Sequence, residues 1–203
     1  GAAIVDSFKA GHGQPYGGKG TSERYPGVQF SQFTGAEMMA ERWNMSREEL
    51  DSFALASHQK AVNATEGGYF DREIVPVEGD LPNGDKEMVT VDEGIRFDAS
   101  AESLSGLNTL SEDGVLTAGT SSQICDGAAA VMLVNDEGLK KLGLKPRAKV
   151  VALALAGDDP VIMLTGPIPA SKTVLEKASM SIEDIDLYEV NEAFAPVPLA
   201  WAK

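Results

Sequence analysis

The sequence predicts a layered α/β fold carrying an additional region of short helices and strands, and three observations lead to it. From about Leu116 onward, apolar runs of strand length alternate with helical segments, as in layers of helix packed on sheet. Before that point a single long helical period stands among short pieces and Gly-rich connections. The 203 residues are 43% hydrophobic and 24% charged, which is enough apolar matter for a core without staples.

The first thirty residues carry many glycines and little periodicity, and read as loop with one short helix or strand near Ala2–Phe8. A loop of that length implies packing against something outside it. Thr34–Asn44 follows as a helix, with Thr34 as N-cap and Met38, Met39, Arg42 and Trp43 at helical spacing. The clearest helix begins at Ser46. Ser46 and Glu49 spell a capping box, Leu50, Phe53, Ala54, Ser57 and Ala61 share one face, and Gly67-Gly68 end it. Two short strands, REIVPVEG and MVTVDEG, flank a polar turn over 79–88, and Pro76 marks an edge. SAESLSGLN is a short helix and Glu112–Val115 a turn. Beyond it, strands are expected at Ala128–Val134, at Val150–Gly157 and in the run ending at Val190. Helices are expected at Asp136–Leu142 and after Pro167, with a second capping box at Ser181–Asp184 and a last helix starting at Glu192.

Thirty-one acids against 17 bases give a formal charge of −14, which argues against a nucleic-acid partner, since phosphate binding requires a basic surface. An anionic ligand therefore needs a local basic patch. One cysteine excludes an internal disulfide and fits a reducing compartment; with two histidines it also argues against a structural zinc site. No apolar run reaches the roughly 18 residues of a membrane span. Gly1 is preceded by no initiator Met, and residues of a longer protein are expected before it. The expected location is cytoplasmic, with an organelle left open.

Several residues invite chemistry. Gly13–Thr21 nearly spells a phosphate loop, but Gly20 stands where a Ser or Thr is required, and the flexible-loop reading is preferred. His12 and His58 are read as surface histidines. Cys125 enters an Ala-rich run where a thiol behaves as a small hydrophobe, and is read as structural. The small residues of TAGTSSQICDG either bring backbone close to a ligand or form a tight turn before a strand. Asn191 is the sharpest candidate: its carboxamide either caps the helix expected at Glu192 or donates to a developing oxyanion without titrating.

Four segments together resemble the thiolase family, in the same order and at matching spacing: SREELDSFALASHQKA (46–61), TAGTSSQICDGAAA (117–130), TGPIPAS (165–171) and NEAFA (191–195). The likeness runs from about Gln32 onward. It implies a layered αβαβα fold in two similar halves with a loop domain over the active site, present here incompletely. Residues 1–116 would be the loop domain and the end of the N-terminal half. Residues 117–145 would hold that half's last strand and helix, and 146–203 the start of the C-terminal half. The resemblance implies an acyltransferase that cleaves or forms 3-ketoacyl-CoA. It gives Asn191 a water beside the thioester oxygen, sets Ala118, Ser122 and Phe194 along the pantetheine arm, and sets Arg96 and Ser103 near the nucleotide of CoA. Implied partners are CoA and acyl-CoA, the remainder of the polypeptide, and further copies in a homodimer or homotetramer; no metal and no covalently held cofactor is implied.

The departures are specific. Thr120 and Cys125 stand where relatives carry Asn. Pro196 and Pro198 stand where a helix usually continues, at a cost of about 3 kcal/mol for a proline in a helix interior. The region near Phe33 lacks the His-Met pair of biosynthetic members, which points to larger acyl groups. The nucleophilic cysteine, and the histidine and second cysteine that follow NEAFA in the family, have no match here, so the chain resembles the middle of a thiolase. The alternative is a non-catalytic CoA-binding or assembly protein that kept the CoA loop.

Overall fold

The computed structural model describes residues 6, 8–13, 16–81 and 83–203, so the element expected near Ala2–Phe8 lies largely outside the described residues. The architecture is mixed α/β, with helices and a small antiparallel sheet. The phosphate-loop-like run does not end as loop: its tail enters helix α1, Lys19–Arg24, with Gly20 in the first turn.

Helix α2, Gln32–Arg42, begins two residues before the expected Thr34 cap, with extended Ser31 as its N-cap. It buries Ala36, Met39 and Ala40, one stripe at spacings of three and four. Gly35 is required on that face, because a Cβ there would run into the carbonyl oxygen of Ile162. Helix α3, Arg47–Glu66, follows at once. Ser46 Oγ accepts the Glu49 N–H at 3.1 Å, but the Glu49 carboxylate pairs with Lys203 Nζ at 3.0 Å, so only half of the expected box forms. Arg47 pairs with Asp51 at 2.7 Å along the helix and donates to the carbonyls of Leu104 (2.7 Å) and Leu107 (3.0 Å). Those carbonyls lie at and just beyond the C-terminal end of α4, Ala101–Ser105, where a cation is favoured.

Strands β1, Val77–Asp80, and β2, Lys86–Val89, pair antiparallel in the register Val77↔Val89, with Pro76 just outside. A tight loop over 109–117 closes through the Leu110 N–H on Leu116 O at 2.8 Å. Glu37 of α2 fastens that loop, accepting the N–H groups of Val115 at 3.0 Å and Leu116 at 3.1 Å. Helix α5, Asp136–Leu142, matches its expected span, with Asn135 as cap and left-handed Gly143 as stop. Helix α6 is Pro167–Ala178.

Helix α7, Pro196–Ala202, corrects two expectations. It begins later than Glu192, so Asn191 is not its cap. Pro196 occupies the first helical position, where the missing N–H has no intrahelical partner to lose, and Pro198 lies in the same first turn. The prolines open this helix and do not interrupt it.

The three apolar runs expected as strands also need correction. Among the described residues none of them pairs into a sheet. Val131 is 85% exposed, Leu155 99% and Leu187 88%. Val and Leu in sequence favour a pleated, half-buried surface, but only a neighbouring strand makes one. The core instead joins α2, α3 and α7 through Met39, Leu50, Leu116, Ile162, Phe194 and Val197. No helix among the described residues is long and apolar enough to cross a membrane.

Candidate functional site

Two loops are laced beside α3. In the first, Thr120 Oγ1 accepts the Thr117 N–H at 2.9 Å and donates back to Thr117 O at 3.2 Å, while Ser121 Oγ donates to the same carbonyl at 2.8 Å. This folds 117–121 into a single 3₁₀ turn, Ala118–Thr120. Gly119 sits under α4, and a Cβ there would stand 2.6 Å from Leu104 Cδ2 and 2.8 Å from Leu107 Cδ1. The second loop is 191–195. The Ala195 N–H donates to Thr120 O at 2.9 Å and the Ser122 N–H to Ala193 O at 3.0 Å. The tight turn expected in the 117–127 run forms at its start, without the strand expected after it, and it sets Ser122 beside the loop that carries Asn191.

Between them lies a cleft of about 490 Å³. Phe53, Ser57 and His58 of α3 form one wall, Thr120 and Ser122 another, and Asn191 with Glu192 a third. Ser57 Oγ donates to Glu192 Oε2 at 2.7 Å, tying the helix to the Asn191 loop. A second cleft of about 370 Å³ holds Arg96, Phe97 and Val62, and His58 lines both. The Arg96 N–H donates to His58 Nδ1 at 3.3 Å. Gln123 donates to Gly94 O, joining the 117–123 run to the loop that leads to Arg96.

Asn191 and Ser122 therefore share one cleft, and Arg96 lines the adjoining one. The remaining candidates lie elsewhere. Ala118 is exposed on the turn and does not line the cleft that its neighbour Gly119 lines. Ser103 Oγ is engaged with its own N-cap, accepting from the Ser100 N–H at 3.0 Å and donating to Ser100 O at 2.9 Å. Phe194 is 3% exposed in the core, with its ring edge-on to Phe33 at 5.5 Å. Cys125 is exposed, which corrects its reading as a buried hydrophobe. His58, read from the sequence as a surface histidine, lines both clefts, and Thr120 lines the larger one; the sequence signal for His58 is its place on the same α3 face as Phe53, Ala54 and Ser57.

Chemically, the Asn191 carboxamide can donate and accept without titrating, beside a hydroxyl at Ser122 and the carboxylates of Glu189 and Glu192. The charge changes sign along the site, from those acids to the guanidinium of Arg96 in the next cleft. Among the described residues no group of three His, Cys, Asp or Glu side chains is placed to hold a metal ion.

Comparison with known proteins matches residues 29–137 to the family profile described as "Thiolase, N-terminal domain" and residues 144–203 to "Thiolase, C-terminal domain". A steroid 3-ketoacyl-CoA thiolase, FadA6 of Mycobacterium tuberculosis, is 47% identical over 180 residues, covering 89% of this chain and 43% of the relative. A 3-ketoacyl-CoA thiolase of Aliivibrio fischeri is 48% identical over 170 residues, covering 83% of this chain and 44% of its own length. Among solved structures, the Bacillus anthracis acetyl-CoA acetyltransferase superposes with a TM-score of 0.81 at 42% identity, covering 87% of this chain and 45% of that one. The chain thus spans less than half the length of these relatives.

Proposed function

Because the chain belongs to the thiolase family, we propose that it forms the CoA-holding part of an acyltransferase that cleaves 3-ketoacyl-CoA by thiolysis, or forms it by Claisen condensation. What supports this reading is one juxtaposition: Asn191 and Ser122 line a single cleft, and Arg96 lines the next. An acyl-CoA laid along the two clefts would keep its thioester at Asn191 and its phosphates at Arg96. In the cleavage direction a cysteine thiolate bonds to the 3-keto carbon, the C2–C3 bond breaks, and its electron pair passes to the thioester oxygen of the departing acetyl-CoA enolate, where a water held by Asn191 meets the charge. The enolate then takes a proton at C2, and the thiol of a second CoA takes the acyl group from the cysteine. Arg96 supplies the positive charge that an acidic protein needs to hold phosphate.

The thiolate comes from the remainder of the polypeptide. The single thiol of these 203 residues, Cys125, is exposed and lines neither cleft. In this proposal residues 1–116 form the loop domain and the end of the N-terminal half, 117–145 its last helix with the apolar run that pairs as a strand only in the complete protein, and 146–203 the start of the C-terminal half. The complete protein works as a homodimer or homotetramer, uses CoA as substrate and needs no metal.

The test is calorimetry of this chain with CoA, beside thiolysis assays on acetoacetyl-CoA and a longer 3-ketoacyl-CoA. The expected result is CoA binding without turnover, and binding that weakens roughly tenfold in Arg96→Ala, as for one charge-assisted hydrogen bond. Absence of CoA binding overturns the proposal. Turnover by this chain that iodoacetamide abolishes would make Cys125, the single thiol of these 203 residues, the nucleophile and overturn its assignment to the remainder.

A further inference from the structure

Successive residues of α3 grip the two sides of the site. Ser57 Oγ holds Glu192, next to Asn191, at 2.7 Å, and His58 Nδ1 holds the backbone N–H of Arg96 at 3.3 Å. His58 is also the residue common to the linings of both clefts. An Nδ1 that accepts a hydrogen bond carries no proton, so neutral His58 keeps its proton on Nε2. The ring then serves as an acceptor toward the Arg96 loop and as a donor at Nε2.

We propose that His58 is a positioning residue: its Nδ1 fixes the Arg96 backbone at the junction of the two clefts, and so sets the affinity for the phosphate-bearing end of the ligand while leaving the thioester end untouched. This rests on the CoA reading above for the identity of the ligand, but the contact itself does not. A backbone amide near 3.3 Å from its acceptor is an adjustable tether, and its loss frees the Arg96 loop without removing the guanidinium. Ser57 and Glu192 lie on the other side and are not part of this tether.

Two substitutions separate the role from a merely structural one. His58→Asn keeps an acceptor near the position of Nδ1, whereas His58→Leu keeps the bulk and removes it. Without any ligand, hydrogen exchange at the Arg96 amide is expected to accelerate roughly three- to tenfold in His58→Leu, as for loss of one net hydrogen bond, and to stay near wild type in His58→Asn. Unchanged exchange in His58→Leu overturns the tether, whatever the ligand proves to be. With ligand, His58→Leu is expected to weaken CoA by a similar factor and to leave pantetheine, which lacks the nucleotide, unchanged, with His58→Asn restoring CoA affinity. Equal weakening of both ligands overturns the positioning role. Accelerated exchange with no CoA binding by wild type would retain the tether and overturn the CoA reading, together with the ligand role drawn from it.

Discussion

Glu37 shows what one side chain does for this fold. Its two carboxylate oxygens accept the N–H groups of Val115 and Leu116, the residues just before Thr117. A backbone N–H left without a partner inside the protein costs about 1–3 kcal/mol, and bonds to a charged acceptor contribute about 1.5–3 kcal/mol. Glu37→Ala is therefore expected to lower the stability of the chain by about 2–3 kcal/mol. Glu37→Gln should recover part of this, since its carbonyl oxygen can accept one N–H while its NH₂ cannot accept the other. Urea denaturation followed by circular dichroism checks both. A midpoint that does not move in Glu37→Ala would mean that the loop is held by Leu110 and Leu116 alone. Thr120 carries a related lesson. Its hydroxyl makes two of the bonds that fold the 117–120 turn, beside the Thr120 N–H and the Ser121 hydroxyl, which both donate to Thr117 O.

At the scale of elements, local signals decide what forms. The turn Ile182–Asp184 is built by Asp184 Oδ2, which accepts the Ser181 N–H at 2.8 Å and the Ser181 hydroxyl at 2.9 Å. The Ser181 N–H, then the Ser181 hydroxyl, hold the Asp184 carboxyl below its ordinary value of 3.8. A lowered folded-state pKa means that the turn's contribution to stability is complete above the ordinary value and is lost as pH falls through the lower, folded one. Asp184 is fully exposed, so the expected readout is the titration itself and not a global transition. Carbon-detected NMR should find the Asp184 midpoint below 3.8 in the native chain and closer to it in Ser181→Ala. A midpoint unchanged by that substitution would deny the hydroxyl its share. Helices α3 and α5 were legible for the same reason: Ser46, Asn135 and Gly143 act within a few residues of themselves. The start of α7 was not, because whether Pro196 interrupts a helix or opens one depends on where the preceding loop turns. That loop is turned by bonds from Ala195 and Ala193 to residues more than seventy positions earlier in the chain.

At the scale of the molecule, legibility follows the distance between cause and effect. The resemblance of their motifs offers Asn191, Ser122 and Arg96 as candidates, and the structure sets the first two in one cleft. His58 stayed hidden because nothing near it in sequence announces that the Arg96 N–H will stand beside its ring. The apolar runs at 128–134 and 150–157 were misjudged for a related reason: composition announces a strand, but ladder bonds need a partner, and none of the described residues supplies one. Leu133 is 77% exposed and Leu155 99%, so these side chains add nothing to the core of this chain. Replacing both by threonine is then expected to leave the thermal midpoint essentially unchanged, within about 0.5 kcal/mol, as for surface positions. The same double variant should bind less of an apolar dye such as ANS and remain in solution at higher concentration, because it shortens two contiguous exposed apolar stretches. Differential scanning calorimetry with dye titration reads both quantities on one preparation. A loss of about 2–5 kcal/mol, the cost of truncating a buried leucine, would mean that the runs are covered in solution, and that their strands form by pairing between copies of this chain.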